Sequence, residues 1–397
     1  LNVYGGRAFL DVDTLARARG LDGARFQNLL LKQKTVALNF EDAVSFAVNS
    51  AKPLIQADNQ IELLIVATES GIDFGKPVSA YVHHHLGLSR NCRNFEIKHA
   101  CYGGTAALQM ANAFIRSNAA PGAKALVITT DAARPIPHTY AEPSQGAAAV
   151  AMLVSANPVL LELEAGASGY YGYEVMDSCR PTAEIETGDA DLSLLTYLDC
   201  IENSFLAYRA RVGEIDFQDH FPYLAFHAPF GGLAKGAHRT MMRKWKRFPP
   251  PAIEEDFMRR LDPSLRFCQR VGNIYSGTVY LALAGILASG AFPTSKRIGL
   301  FSYGSGCCSE FFSGLANSSS QEAIRSMQIA ESLDRRHSLS MQEYEQLIPL
   351  NRALMFGIEN AQPDYRAFPG IYNQQFEGRK LLVLDKVSSY HREYRWS

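Results

Sequence analysis

Cys101 lies where the strand-like run F-E-I-K-H-A meets Y-G-G-T-A-A-L, a run rich in small residues that predicts a helix. A thiol at that junction feels unpaired amides and the positive end of the helix dipole. Both lower its pKa and favour thiolate, so the position suits a nucleophile. Gly103 and Gly104 let a substrate come close to the backbone. The bland alternative is an inert buried thiol, a common fate for cysteine. Cys92, Cys179, Cys200 and Cys268 have no such surroundings, and Cys307-Cys308 follow a Gly-Ser-Gly turn and read as core.

Three further residues could serve a cysteine nucleophile. Glu69 directly follows an apolar run, and the carboxyl ends of strands carry the sites of open α/β sheets. A partly desolvated carboxylate there has a raised pKa suited to proton transfer. His227 ends the run Y-L-A-F in the same way. Asn273, in V-G-N-I-Y-S-G, offers an amide to a carbonyl oxygen or merely stabilises a turn. The run Ser302-Tyr303-Gly304-Ser305-Gly306 either presents amides to an oxyanion or is an ordinary glycine turn. His83, His84 and His85 are not read as a metal site, because adjacent helical residues point about 100° apart and cannot chelate one ion.

The elements that must hold these residues alternate. Strands are predicted at 61–68, 94–100, 124–131 and 146–154, with helices at 77–87 and 103–118. The second half repeats the theme, with strands at 159–164, 223–228, 297–303 and 308–314 and a helix at 275–289. Residues 168–215 and 236–268 read as partly helical insertions, 320–333 and 340–358 as helices, and 379–385 as a late strand. The alternation implies an α/β fold with helices on the sheet faces, built from two similar halves, 1–155 and 156–397.

Composition narrows the classes. With 397 residues, 47% hydrophobic and 20% charged, the chain can bury a large core. A net charge of −1 provides no global field for nucleic acid or membrane, so a charged partner must meet a local patch. No apolar run approaches the ~20 residues of a membrane span. Seven cysteines without a C-x-x-C pair argue against a disulfide scaffold or zinc site and fit a reducing cytoplasm. No signal segment opens the sequence as given, and Leu1 in place of an initiator Met suggests a short preceding piece.

Taken in order, the motifs resemble the 3-hydroxy-3-methylglutaryl (HMG) synthase family of the thiolase superfamily. The matching strings are E-S-G-I-D with Glu69, F-E-I-K-H-A-C-Y-G-G with Cys101, and T-T-D-A-A-R with Asp131. E-P-S-Q-G-A-A-A-V-A at 142–151, F-H-A-P-F with His227, G-N-I-Y-S with Asn273, S-Y-G-S-G, and Y-H-R-E-Y-R at 390–395 follow. The resemblance implies a layered αβαβα thiolase-like fold with helical insertions, and a homodimer. It implies an acyltransferase with no bound cofactor or metal, whose acyl groups arrive on phosphopantetheine. In it Cys101 takes an acetyl group and Glu69 deprotonates that group's methyl. The resulting carbon attacks the β-carbonyl of a 3-ketoacyl thioester held by His227 and Asn273, and water releases the product. Amides of Cys101 and of the 304–306 turn, with Ser305 and Gly306, would hold oxyanions. Tyr102, Asp131, Asp177 and Tyr275 would be further substrate-binding residues.

Within the family, Gly231-Gly232 after His227 is closer to polyketide β-branching synthases, which use donor and acceptor acyl carrier proteins, than to coenzyme A-dependent mevalonate-pathway enzymes. Lys235, Arg239, Arg243 and Lys246 fall at helical spacing, a basic stripe suited to an acidic carrier and its phosphate. The same stripe would suit the phosphates of coenzyme A, or be a solvated helix face. A ketoacyl synthase of the superfamily would also use Cys, His and Asn, without needing Glu69.

Overall fold

The run Ile61–Ala67 is almost wholly buried, which forces cover on both faces of the sheet that contains it. The computed structural model describes residues 1–397 apart from 57–58, 140, 183–184 and 247. The first sheet holds β1 (Asn2–Tyr4), β2 (Ile61–Ala67), β3 (Arg93–Ile97), β4 (Lys124–Ala132) and β5 (Ala147–Val154), in the order β1-β5-β4-β2-β3. β2 runs parallel to β3 and β4, and β5 is antiparallel to β4 and β1. Alternation splits β2 between two cores. Leu64 and Val66 pack with α1 (Ala43–Ala51) and α2 (Val78–His85), while Leu63, Ile65 and Ala67 face α3 (Gly103–Arg116).

The second sheet holds β6 (Glu162–Gly172), β7 (Tyr223–Phe226), β8 (Lys296–Gly304) and β9 (Cys308–Ala316), in the order β7-β8-β9-β6. Its outer face carries α4 (Ala190–Val212) and α5 (Gly231–Lys246), with an aromatic core of Phe205, Tyr208, Phe301 and Phe311. α6 (Asp262–Val271) precedes α7 (Thr278–Ser289), which is buried from Thr278 to Leu287. α3 and α7 form the layer shared by both sheets: Ala107 and Leu108 meet a core that includes Leu281, Ile286, Leu300 and Phe312. The layers therefore run helix, sheet, helix, sheet, helix, the thiolase-like arrangement. Among the described residues no helix is long and apolar enough to cross a membrane.

Several boundaries differ from the sequence reading. The strand placed at 159–164 starts at Glu162 and runs to Gly172. Its second part is broken up by Gly166, Gly169 and Gly172, and the ladder to β9 holds it extended. The helix at 320–333 breaks into Ser318–Ser326 and Ile329–Asp334, because Gln328 takes a left-handed φ of 51°. The C-terminal part does not stay with the second half. His337–Leu339 pairs with Ala8–Asp11, and Leu382 packs into the core beneath α1. The late strand, Leu382–Ser388, joins neither main sheet and pairs with His391–Trp396.

The small residues of α3 have a packing cause. A Cβ on Gly104 would lie 2.5 Å from the Ser276 carbonyl oxygen and 2.6 Å from Thr129 Cγ2. Gly236, inside α5, has open space around it. Gly104→Val is expected to destabilise the protein by about 1–3 kcal/mol through overpacking. Gly236→Ala should stabilise it by about 0.5–1 kcal/mol through helix propensity. Urea unfolding checks both, and equal effects would refute this account of α3.

Candidate active site

The strand ends gather the predicted residues. Glu69 follows β2, Cys101 follows β3, His227 follows β7, and the Gly304–Gly306 turn closes β8. A Cβ on Gly304 would lie 2.6 Å from the Tyr102 amide nitrogen and 2.8 Å from the His99 carbonyl oxygen. The second half is thereby pressed onto the turn that carries the nucleophile. That turn is tight: Ala100 has φ 40°, and the amides of Tyr102 and Gly103 donate to the His99 carbonyl. A non-glycine residue in this region stores strain of order 1–3 kcal/mol, held here by the surrounding structure.

Cys101 Sγ donates to Glu69 Oε1 at 3.5 Å. The sequence reading expected a lowered thiol pKa, and the structure reverses it. Burial first, and then the negative charges of Glu69 and Asp131, push the thiol up. The amides of Tyr102 and Gly103 are spent on the His99 carbonyl, so they do little to offset this. Cys101 rests as a thiol whose proton points at a carboxylate. Burial also raises Glu69, to about 7, against the opposing charge of Arg180 and the thiol hydrogen bond. A carboxylate poised near neutrality can take and return a proton.

Asp131 was expected among the substrate-binding residues, but it is fully buried and acts on the loop instead. Its Oδ1 accepts from Glu69 N at 2.8 Å, Ser70 N at 3.0 Å, Ser70 Oγ at 2.9 Å and Thr68 Oγ1 at 3.2 Å. Burial and the charge of Glu69 raise its own pKa. Asp177 is likewise buried, accepting from Tyr303 OH at 2.5 Å and from the Gly306 amide at 2.9 Å. The Gly306 amide is therefore not free for an oxyanion, and Ser305 N is the amide of that turn without a partner among the described residues. The Tyr102 hydroxyl, also expected to bind substrate, donates to Glu310 Oε2 at 2.9 Å.

His227 is 1% exposed, and burial lowers its pKa to about 3, so the imidazole is neutral. Its backbone is fixed by His227 N donating to Phe301 O at 2.7 Å and Tyr197 OH donating to His227 O at 2.6 Å. A neutral ring keeps one N–H to offer a carbonyl. Asn273 Oδ1 accepts from Tyr275 N at 2.9 Å and Thr278 Oγ1 at 3.0 Å. That orients the amide and leaves Nδ2, without a partner among the described residues, as a donor. Tyr275 accepts from Arg180 at 3.0 Å, and Arg180 also pairs with Glu186 at 2.7 Å.

Residues 2–158 match the hydroxymethylglutaryl-coenzyme A synthase N-terminal family, and residues 250–372 the corresponding C-terminal family. The chain is 53% identical to the polyketide biosynthesis 3-hydroxy-3-methylglutaryl-ACP synthase PksG of Bacillus subtilis, over 100% of this chain and 98% of that protein. The chain belongs to the hydroxymethylglutaryl-coenzyme A synthase family. A crystal structure of the curacin pathway HMG synthase with holo donor-ACP superposes with a TM-score of 0.97 at 52% identity, covering 100% of this chain and 98% of that one. The hydroxymethylglutaryl-CoA synthase of Enterococcus faecalis is more distant, at 35% identity over 85% of this chain and 87% of that protein.

This HMG synthase site contains groups that the sequence reading missed. Arg180 and Glu186 sit in the stretch read as an insertion, with no motif to flag them. Glu310, on β9, accepts from Tyr102, Gln109 and Ser168 and ties the helix of the nucleophile to the second sheet. On α5, Lys235 is paired with Glu254 at 2.7 Å and so does not belong to a free stripe. Arg239 and Arg243 are exposed, and the side chain of Lys246 lies outside the described residues.

Because Glu69 is raised to about 7, its basic form is complete only above that pH. With enzyme already acetylated on Cys101, the condensation rate should rise with pH and level off above about 7. Glu69→Gln should remove the limb and slow condensation by about 10²–10⁴-fold. A flat wild-type profile in single-turnover measurements would show that Glu69 is not the base.

Proposed function

We propose that this HMG synthase works in polyketide β-branching, taking acetyl from an acetyl-acyl carrier protein and adding it to a 3-ketoacyl-acyl carrier protein. The 3.5 Å contact between Cys101 and Glu69 carries the chemistry. Thioester exchange puts acetyl on Cys101, releases the donor's thiol and passes the cysteine proton to solvent or to that thiol. Glu69 then removes a methyl proton, one atom beyond the thioester carbonyl and within reach of a carboxylate placed against the sulfur. The nucleophilic carbon attacks the acceptor's C3, and the carbonyl electron pair becomes an alkoxide that takes the proton back from Glu69. Water hydrolyses the bond to Cys101, leaving a free carboxylate on the product and a thiol on the enzyme.

Neutral His227 and the Nδ2 of Asn273 supply donors for the acceptor's thioester carbonyl. The amides of Cys101 and Ser305 supply donors for the oxyanion at the cysteine thioester. Such preorganised donors are often the largest catalytic term, and an acetyl methyl is a weak enough acid to need them. Asp131, Asp177, Tyr102 and Glu310 act by positioning. The full-length likeness to an HMG-ACP synthase and the exposed Arg239 and Arg243 favour carrier proteins over free coenzyme A. β3 is an edge strand of the first sheet, which supports a homodimer formed along it.

Incubation with acetyl donor should add one acetyl group, seen by intact mass. Cys101→Ser abolishes the adduct, and Glu69→Ala forms it but does not condense. Arg239→Glu with Arg243→Glu should raise KM for acetyl-carrier protein by about tenfold while leaving acetyl-CoA kinetics unchanged. Equal or better use of acetyl-CoA by the wild type would instead favour the mevalonate-pathway reading.

A further inference from the structure

The product's C3 is tetrahedral, and three of its arms have assigned directions. One is the acetyl-derived methylene bound to Cys101. The second is the methylene leading to the carrier thioester beside His227 and Asn273. The third is the hydroxyl protonated by Glu69. The fourth arm is everything in the acceptor's acyl chain beyond C3, and space that could hold it lies beside the 69–72 loop.

That side is hollow. A cavity of about 70 Å³ is lined by Glu69, Arg180, Ile185, Glu186 and Phe356, among others. It shares Arg134, Ile136, Ile185 and Met355 as walls with a second cavity of about 230 Å³. The larger space is lined on its apolar side by Val36, Ala37, Leu347 and Ile348. Its polar wall includes Lys34, Arg134, Arg352 and Gln145. Gln145 Nε2 donates to Glu186 at 2.9 Å. The backbone of Gln145 also bridges to Asn273, which ties this wall to the thioester site.

We propose that the larger cavity receives the acceptor's acyl chain beyond C3, an inference that rests on the function proposed above. The aliphatic wall of Val36, Ala37, Leu347 and Ile348 takes the alkyl part. A coenzyme A synthase working on acetoacetyl has only a methyl to place there.

The test uses acetyl-loaded enzyme and two acceptors on the same carrier protein, acetoacetyl and 3-ketodecanoyl. Ile348 is only partly buried, so Ile348→Trp can fill the cavity at little risk to folding. The long-to-short rate ratio should fall at least about tenfold in Ile348→Trp, and likewise in Ala37→Leu. Acetylation of Cys101, measured in parallel, shows that the variants are folded. An unchanged ratio in both folded variants overturns the cavity assignment. A wild type that condenses with acetoacetyl and rejects 3-ketodecanoyl also overturns it, while leaving the proposed reaction standing. A wild type that acetylates but condenses with neither acceptor overturns both.

Discussion

One buried oxygen organises this site. Asp131 Oδ1 accepts four hydrogen bonds from three consecutive residues, Thr68, Glu69 and Ser70. It thereby fixes the turn that leaves β2 and aims Glu69 at the end of β3, where Cys101 waits. β2 lies between β3 and β4 in the sheet, so the carboxylate at the end of β4 can brace a turn that the neighbouring strand alone would leave loose. Two amides and two hydroxyls converging on one buried oxygen make a rigid support.

The same burial sets the protonation states that the chemistry needs. It lifts Glu69 to about 7 and lowers His227 to about 3, so a base that can also be an acid faces a histidine that stays a neutral donor. Arg180, between Glu186 and Tyr275, offers a counter-charge that keeps Glu69 from rising further. Burial, and then the negative charges of Glu69 and Asp131, hold Cys101 as a thiol in the resting site. In the proposed reaction, loading acetyl would remove the thiol proton and its hydrogen bond from Glu69.

Three of the residues given roles in the proposed reaction were candidates in sequence because each follows a strand-like run, and the ordered family motifs singled them out. An α/β sheet sends such positions to one edge, so Glu69, Cys101 and His227 could be found without coordinates. The alternation that marks strands also gave both main sheets and the shared helices. Charges were another matter. The helix dipole argument for Cys101 considered only its own helix, and the opposing carboxylates come from other strands. The family resemblance implied Tyr102 and Asp177 as substrate-binding residues, whereas the polar atoms of both are held by Glu310 and by the 303–306 turn. Arg180 and Glu186 had no periodicity to announce them, since their stretch forms only a brief two-stranded pairing. The return of residues 337–397 to the first half depends on packing between distant segments, which local pattern does not encode.

The two halves divide the work, and their joint is itself part of the catalyst. In the proposed reaction the first half supplies nucleophile and base, and the second supplies His227, Asn273 and the Ser305 amide. Neither set has value unless their separation is fixed, since misplacement by an ångström is enough to lose much of a rate. The structure fixes it at two contacts of different kinds. Gly304 lies against the His99–Tyr102 turn with no room for a side chain, and Tyr102 reaches back to Glu310 on β9. One contact limits approach and the other limits separation. Together they explain why a glycine ends β8 and why a buried glutamate with no direct chemistry sits on β9: both set the distance across which acetyl and acceptor must meet.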